Sequence, residues 1–342
     1  MKKLLSVLLV ALTAITMFGC SGGSGDSTLV IYSPNSDTVM DTIIPAFEEA
    51  TGIECQVLSL GTGEVLARLL EEKDNPQCDV WFGGWNTGQA VQHPEVCQEY
   101  VSKYDSDFPE GYQNFNKIVS HYACDGSAAL LLNTKVLAEL GLTSADVKGY
   151  ADLLKPELKG HIAMGDAGNS SSAWAELTNM LLVMGDKPYD VSGWTYVDKL
   201  MDQMNGVMLS SSSAIYKQTA SGEYAVGISY EDPCADLINK NTPNVELVYP
   251  VEGSVWLPAG AGIVANCPHL ANAKKFIDFI QSPEGQALFA TTTMRPCNPE
   301  FENKKLKPLS EIKVVYEDIK YCAEQKKTWQ LLWSTKWAAK GN

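Results

Sequence analysis

Residues 225–235, AVGISYEDPCA, are the stretch that decides the fold. Small and β-branched residues at its start favour a buried strand, and Pro233 prevents that strand from continuing. The strand delivers three polar side chains at its carboxyl end: Tyr230, Glu231 and Asp232. Ligands of open α/β sheets bind outside the carboxyl ends of strands, so these three are candidate contacts. The alternative is a surface turn whose acids are simply solvated.

The composition is that of an acidic globular protein. The 342 residues carry 26 Lys and Arg against 41 Asp and Glu, a formal net charge of −15, and 45% of them are hydrophobic. A nucleic-acid binder needs a basic face, and none is visible in the sequence, so no nucleic-acid partner is expected. The length is sufficient for two domains, each with its own core.

The first residues have the pattern of a secretory signal. Met1, Lys2 and Lys3 precede a short apolar run, residues 4–18, which is too short for a stable membrane span. Residues 1–19 are predicted to be a signal peptide. The run closes on MFGC, which resembles the bacterial lipobox and predicts lipidation of Cys20, with residues 20–27 as a Gly/Ser tether. The alternative is a signal peptide followed by a free Cys20.

Eight further cysteines remain once Cys20 is set aside. Their even number is compatible with disulfides in an exported protein, but the pairing cannot be derived from the sequence. The spacing contains no CxxC motif and no Cys/His cluster, which argues against structural zinc. The eight are Cys55, Cys78, Cys97, Cys124, Cys234, Cys267, Cys297 and Cys322.

A βαβαβ succession is predicted in the first part of the chain. Apolar strands at 28–32, 54–60 and 79–82 alternate with helical patterns that start near residues 37 and 64. Such a succession forms a parallel sheet with right-handed crossovers, so strand ends and helix starts face one crevice. Glycines in these loops allow the backbone to approach a ligand closely. The candidate contacts are Ser33, Asn35, Ser36, Gly61, Thr62, Gly63 and Gly84.

Serine-rich loops precede two later helices. A strand at 161–164 leads into a helix at 173–184, and a strand at 207–209 leads into another at 214–219. The alternative is that these serines serve only as helix caps and turn residues. Further helices are predicted at 313–321 and 328–339. The candidate contacts are Asn169, Ser170, Ser171, Ser172, Ser212 and Ser213.

Catalysis is not expected from this sequence. A serine hydrolase needs an activating base beside its nucleophile, and none of the four histidines lies in a recognisable nucleophile motif. The GxSxG motif is also missing. An exported hydrolase and an adhesive lipoprotein are the two classes of protein that remain as alternatives to a binding protein.

Six stretches carry a resemblance to a known family. They are LVIYSPNSD (29–37), PAFEEATGIECQVLSLGTGEVLARL (45–69), CDVWFGG (78–84), GDAGNSSSAW (165–174), GEYAVGISYEDP (222–233) and PAGAGIVANCPHLANAKKFIDFIQSPEGQ (258–286). With the lipobox, they resemble the extracellular solute-binding proteins of ABC importers, in the branch that contains ferric-iron, phosphonate, thiamine and hexose-phosphate binders. The resemblance implies an α/β, two-lobed type 2 periplasmic-binding-protein fold with two hinge crossings.

That resemblance also implies the division of the chain. Lobe 1 is expected to comprise residues 28–118 plus 254–300, and lobe 2 residues 119–253 plus 301–342. The crossings are expected near 121–132 and 251–260, with Gly126 and Gly253 absorbing the change in backbone angles. It implies a monomer outside the cytoplasm, held to the membrane through Cys20 and delivering its solute to the transmembrane subunits of an ABC permease.

The candidate contacts predict an anionic solute and no cofactor. Hydroxyls at helix starts hold an oxyanion, while Tyr230, Glu231 and Asp232 suit hydroxyls or an amine. Organic phosphates and phosphonates, such as a hexose phosphate or an aminoalkyl phosphonate, meet both needs. Ferric iron, with Tyr230 and Glu231 as ligands, is the alternative. The ferric members carry adjacent tyrosines where this chain has Ser229 and Tyr230, so one phenolate makes a thin ligand set.

Replacement of Cys20 by Ser tests the lipid anchor. We expect the variant to move from the membrane to the soluble or secreted fraction, because the acylated thiol is lost. Fractionation and labelling with a radioactive fatty acid measure this. A wild-type protein that never takes up the label would contradict the prediction.

Overall fold

The computed structural model describes residues 27–341. The predicted signal peptide, Cys20 and nearly all of the predicted tether lie outside the described residues. Within the described part, no helix is both long and apolar enough to cross a membrane.

The described residues form eleven strands and eleven α-helices, joined by loops and short 3₁₀ turns. The strands are β1 (Thr28–Ser33), β2 (Glu54–Ser59), β3 (Val80–Trp85), β4 (Cys97–Gln98), β5 (Ser120–Gly126), β6 (Ala129–Asn133), β7 (Ile162–Ala163), β8 (Val226–Ser229), β9 (Val245–Val248), β10 (Trp256–Val264) and β11 (Arg295–Pro296). The helices are α1 (Asp37–Thr51), α2 (Thr62–Glu71), α3 (Thr87–Gln92), α4 (Thr134–Glu139), α5 (Ser171–Val183), α6 (Val191–Met204), α7 (Ser212–Ser221), α8 (Glu231–Asn239), α9 (Leu270–Gln281), α10 (Pro283–Phe289) and α11 (Ile319–Ala339).

A seven-stranded sheet organises the first lobe. Its order is β11-β5-β10-β3-β1-β2, with β4 paired to β10. β1 runs parallel to both β2 and β3, which confirms the predicted βαβαβ unit. β10 lies antiparallel between β3 and β5. One hydrophobic core lies around this sheet, with α1 and α9 contributing Phe47 and Phe276 in edge-to-face contact.

A four-stranded sheet, β7-β8-β6-β9, organises the second lobe. Its strand β8 confirms the buried strand predicted before Tyr230, and all of its residues are buried. β8 pairs antiparallel with β6 and parallel with β7. The strand predicted at 207–209 is wrong, because Leu209 makes only an isolated bridge to Gly165. Helices α4 to α8 each come after a strand of this sheet in the chain or pack against the sheet.

The chain passes between the sheets at two places predicted as crossings. Gly126 ends β5 and the next strand, β6, begins in the other sheet; the return lies between β9 and β10 and contains Gly253. β5 belongs to the first sheet, which favours a lobe boundary after Gly126 over one after residue 118. The division of the chain into lobes by residue stays a prediction.

The C-terminal region differs from the two predicted helices. Residues 313–318 are irregular, and one helix, α11, runs without a break to Ala339. Asp318 starts it by accepting a hydrogen bond from the Tyr321 N–H at 2.9 Å. Trp329 and Trp333 of α11 belong to the core of the second lobe, and α11 also packs against α3 of the first lobe. The helix therefore contacts both lobes.

The eight cysteines of the described part are free thiols. Seven of them are buried, and Cys55 is half-buried. Cys124 and Cys297 lie closest to one another, with their sulfur atoms 3.6 Å apart. The thiols serve as small core side chains in this structure.

Gly260 of the central strand β10 offers a stability test. A Cβ there would lie 2.3 Å from the carbonyl oxygen of Trp85 and 2.6 Å from Val119 Cγ1. The register shifts at this residue on both sides of the strand, so the backbone cannot easily yield. We expect Gly260→Ala to lower the unfolding free energy by about 1–3 kcal/mol, the usual cost of overpacking.

Gly111→Ala is the matched control, because nothing lies within 4 Å of its Cβ position. Urea titrations of both variants measure the effect. Equal midpoints for the two variants would contradict the prediction.

Candidate functional site

A cavity of about 190 Å³ lies between the two lobes. The loops after β1 and β3, the start of α2 and part of β10 line it from the first lobe. The starts of α5, α7 and α8 line it from the second lobe. Pockets for drug-sized ligands hold roughly 300–1,000 Å³, so this cavity suits a smaller solute.

Nine of the predicted contact residues line the cavity and seven do not. Those that line it are Asn35, Ser36, Thr62, Gly84, Ser171, Ser172, Ser212, Tyr230 and Asp232. Those outside its lining are Ser33, Gly61, Gly63, Asn169, Ser170, Ser213 and Glu231.

Two of the predicted residues that do not line the cavity support the loops of the first lobe. Ser33 is completely buried, and its hydroxyl donates to the carbonyl oxygen of Phe82 at 2.6 Å. The Gly61 N–H donates to the Glu64 carboxylate at 2.8 Å, at the start of α2. Both groups are therefore occupied by the protein itself.

Three others belong to helix starts of the second lobe. The Asn169 amide donates to Asp166 at 2.6 Å, and the Ser170 hydroxyl caps α5 by accepting from the Ala173 N–H. The Ser213 hydroxyl lies 3.3 Å from that of its neighbour Ser211. Ser170 therefore has the capping role that the sequence left open, while Asn169 and Ser213 bond to neighbouring residues of their own helix starts.

The two lobes touch beside the cavity. The hydroxyls of Thr62 and Ser171 lie 2.9 Å apart and form a hydrogen bond across the cleft. Next to it, a Cβ on Gly63 would lie 3.0 Å from the backbone oxygen of Asn169. The absence of a side chain on Gly63 thus allows the closed arrangement.

Hydroxyls and helix starts form one part of the cavity wall. Ser171 and Ser172 occupy the first turn of α5, and Ser212 occupies the first turn of α7. The cap of α7 is Ser211, whose hydroxyl accepts from the Ala214 N–H. Helix N-termini favour negative charge, so this part of the wall suits an oxyanion.

Asp232 provides a buried carboxylate. It is only 3% exposed, and burial raises its pKa to about 6, while the Thr293 and Ser36 hydroxyls oppose that rise. The Thr293 hydroxyl donates a hydrogen bond to Asp232. The charged form is therefore held in a place where water solvates it poorly.

Asp125 is the second carboxylate of the cavity, and the sequence analysis did not predict it as a contact. It lines the cavity from β5, and its Oδ1 accepts a hydrogen bond from the Asp232 N–H at 3.0 Å. Burial and then the charges of Asp232 and Glu231 raise its pKa well above the usual range. The available signal was an acid near the carboxyl end of a strand, since Asp125 follows Tyr122, Ala123 and Cys124.

Tyr230 lines the cavity as a neutral phenol. Burial raises its pKa well above the usual value, and the nearby Asp232 adds to the rise. A hydrogen bond with Ser212 acts in the opposite direction. Tyr230 can therefore donate a hydrogen bond to a ligand.

Two tryptophans and one more acid also line the cavity, and none of them was predicted as a contact. Trp85, the last residue of β3, and Trp174 of α5 both line the cavity. Burial raises the pKa of Glu317 to about 7, although Thr178 and Cys322 oppose the shift. Among the lining residues of the described chain there is no Lys, Arg or His. The cavity is thus acidic and aromatic.

Glu231 is placed differently from the prediction. Its side chain is fully buried, and Arg295 binds both carboxylate oxygens, at 2.9 and 2.6 Å. Tyr249 and Trp256 donate further hydrogen bonds at 2.6 and 3.0 Å. The carboxylate is fully engaged, so the expectation that Glu231 contacts a ligand needs correction.

The ligand set suggested for ferric iron is not assembled here. Glu231 is bound to Arg295, and Tyr230 keeps its proton. No group of three or more His, Cys, Asp or Glu side chains suited to a metal ion occurs among residues 27–341.

Glu231→Gln tests the structural role of this carboxylate. The change leaves the largely buried Arg295 without its counter-charge. Breaking a buried pair in this way lowers the unfolding free energy by about 3–5 kcal/mol. Chemical denaturation measures the loss. The exposed Glu223→Gln is the control and should change stability by less than about 0.5 kcal/mol. A Glu231→Gln protein as stable as the control would contradict the structural role.

Curated relatives cover most of the chain at low identity. A putative 2-aminoethylphosphonate-binding periplasmic protein of Salmonella typhimurium is 24% identical over 291 residues, which span 81% of this chain and 80% of the relative. An Fe(3+)-binding periplasmic protein of Serratia marcescens is 23% identical over 326 residues, 90% of each chain.

A solved structure shares the fold. The periplasmic binding protein AfuA of Actinobacillus pleuropneumoniae, solved with fructose-6-phosphate, superposes with a TM-score of 0.77 at 23% identity. The match covers 89% of this chain and 96% of that protein. It confirms the predicted two-lobed type 2 periplasmic-binding-protein fold.

A family model matches residues 42–312, which is most of the chain. The family is described as bacterial extracellular solute-binding protein. Its match agrees with a cavity placed between two lobes and with the resemblance seen in the sequence. The chain belongs to the family of bacterial extracellular solute-binding proteins.

Proposed function

We propose that the protein binds an organic phosphonate or phosphate that also carries an amine, such as an aminoalkyl phosphonate, for delivery to an ABC permease. The observation that carries the proposal is the pairing of buried carboxyls with helix-start hydroxyls in one cavity. Each half suits one end of such a ligand.

One part of the cavity wall, the carboxyl half formed by Asp125 and Asp232, favours a cation. Asp125 and Asp232 lie side by side in the wall, and burial raises the pKa of each. An ammonium group between them would stabilise their charged forms, because an opposite charge offsets the loss of water. A sugar hydroxyl would offer a weaker, neutral partner.

The other part of the wall, the hydroxyl half formed by Ser171, Ser172 and Ser212, favours an oxyanion. Ser171, Ser172 and Ser212 lie in the first turns of α5 and α7, where backbone N–H groups and the helix dipole attract negative charge. A phosphonate group presents three oxygens to such donors. A bare phosphate would leave the carboxyl half without a partner.

The names of the relatives agree with this class of ligand. The Salmonella typhimurium relative is named for 2-aminoethylphosphonate, and the Actinobacillus pleuropneumoniae protein was solved with a hexose phosphate. Both ligands combine a phosphorus oxyanion with a polar organic part.

Calorimetry with 2-aminoethylphosphonate and ethylphosphonate tests the proposal. The two compounds differ in the amine, so the second controls for titration of the phosphonate. We expect 2-aminoethylphosphonate to bind more tightly by about 1.5–3 kcal/mol, the usual scale for a hydrogen bond to a charged group. Equal affinity for the two compounds would contradict an amine subsite.

The preference for the amine should depend on pH. The pKa of Asp232 is about 6 in the fold, so the carboxylate that binds an ammonium is lost as the pH falls through 6. We expect the difference in affinity between the two phosphonates to shrink as the pH falls below 6. An unchanged difference from pH 5 to pH 8 would exclude Asp232 as the partner.

Asp232→Asn is the matching variant. It should remove most of the amine preference at pH 7. The folded pKa of Asp232 lies above its ordinary value of 3.8, so its ionised form contributes no stability at pH 7. The variant should therefore not melt at a lower temperature, which separates lost binding from lost folding.

Ferric iron is the second candidate, since Tyr230, Asp125 and Asp232 bring oxygen atoms to one cavity. The Serratia marcescens relative is named for that ion. Addition of ferric citrate followed by absorption spectroscopy tests it, because a phenolate bound to iron absorbs visible light. A visible band lost in Tyr230→Phe, with no response to phosphonates, would favour iron.

Four further features belong to the proposal. They are lipid attachment through Cys20, location outside the cytoplasm at the membrane, action as a monomer and partnership with permease subunits. Family membership supports the location and the partnership. The same membership supports a transport role over the rival hydrolase.

A further inference from the structure

The C-terminal segment forms one wall of the cavity. Glu317, Ile319, Cys322 and Ala323 line it, and the last three lie on α11. The match to the family model ends at residue 312. This wall therefore lies beyond the part of the chain that the family model describes.

Contacts with the second lobe hold α11 in place. Trp329 packs against Trp174 with ring centroids 6.1 Å apart, and the Trp333 indole N–H donates to Asp166 at 3.1 Å. The Gln330 amide donates to the carbonyl oxygen of Ala167 at 3.1 Å. Because α3 packs on the same helix, α11 is fixed relative to both lobes.

Lys326 of α11 is a buried cation that lies behind the cavity lining, next to two residues that form it. It is 4% exposed, and its ammonium lies 5.7 Å from the ring centroid of Trp174. The ammonium is also 3.6 Å from the position that a Cβ on Gly88 would take. Trp174 and Gly88 both line the cavity, from opposite lobes.

This ammonium has no acidic partner in the described part of the chain. Arg295 is engaged by Glu231, whereas no carboxylate of the described residues lies within 4.0 Å of the Lys326 nitrogen. Burial alone lowers the pKa of Lys326 to about 8, so the group is mostly charged at neutral pH. A buried charge without a counter-ion is costly, and a bound anion would remove that cost.

The position of Lys326 matches the hydroxyl half of the site. Trp174, which its ammonium faces, follows Ser171 and Ser172 within the first turns of α5. The cation and the helix start thus approach the same region of the cavity. The carboxyls Asp125 and Asp232 come from other elements, β5 and the start of α8.

We propose that Lys326 is a ligand-binding residue whose ammonium pairs with the phosphonate or phosphate group of the solute. The C-terminal helix then supplies the positive charge that the two lobes do not place in the cavity lining. This inference rests on the proposed function, because it assumes that an organic phosphonate occupies this cavity.

Lys326→Met and the neighbouring Lys327→Met form a matched pair. Methionine keeps the length and the apolar stem of the buried residue, whereas Lys327 is exposed. We expect Lys326→Met to bind 2-aminoethylphosphonate and ethylphosphonate about 10- to 100-fold more weakly, and Lys327→Met to equal the wild type within twofold. Loss for both compounds shows that the oxyanion end is affected, since only one of them has an amine.

Calorimetry on the full chain, with melting temperatures as the folding control, gives the answer. A folded Lys326→Met protein with wild-type affinity for ethylphosphonate overturns the inference. If Lys326→Met does not fold, Lys326→Gln takes its place and is judged by the same criterion.

A separate experiment tests the role of Lys326 if the proposed function fails. If the wild type binds neither phosphonate, Lys326 is acetylated with acetic anhydride in the presence and absence of inorganic phosphate, and the product is read by peptide mass spectrometry. Protection of Lys326 but not of Lys327 retains it as an anion-binding residue. Equal labelling of Lys326 with and without phosphate overturns the inference.

Discussion

The buried ion pair between Glu231 and Arg295 is the interaction on which the arrangement of the lobes depends. Glu231 opens α8 of the second lobe, and Arg295 lies on β11 at the edge of the first sheet. Tyr249 and Trp256, on either side of the returning crossing, donate to the same carboxylate. A buried pair of this kind adds little net stability over apolar packing, but it fixes geometry because neither charge can be left alone.

The position of the cavity wall follows from that pair. With Glu231 turned toward Arg295, the neighbouring Tyr230 and Asp232 face the cavity, and the Asp232 N–H meets Asp125 of the first lobe. Two carboxyls from different lobes are thereby brought together away from water. Burial raises the pKa of both carboxyls, and under the proposed function a cationic group on the solute would stabilise their charged forms.

The charges around the cavity are separated by element. The acids come from β5, the start of α8 and the segment before α11, while the hydroxyls come from the starts of α5 and α7. Lys326 adds a positive charge next to α5 from the far end of the chain. A zwitterionic solute fits such a separation better than a simple ion, because each of its ends meets the opposite charge.

The sequence by itself determined the local elements of this protein. Alternation of apolar runs and polar turns predicted the parallel unit β1 to β3 and the buried strand β8, since burial of a regular element leaves a periodic pattern. Runs of serine before helical patterns predicted the hydroxyl half of the cavity at Ser171, Ser172 and Ser212. These features depend on near neighbours, which the sequence displays directly.

Tertiary structure decided which acids face the cavity. Consecutive residues point about 100° apart at a helix start, so only the packing of α8 on the first lobe could assign Glu231 to Arg295 and Asp232 to the cavity. Asp125 lines the cavity from β5, and Lys326 lies beside the lining residue Trp174 from α11, far away in the chain. Their roles depend on how two lobes and a terminal helix meet, and side-chain pairing over such separations leaves no periodic signal in the sequence.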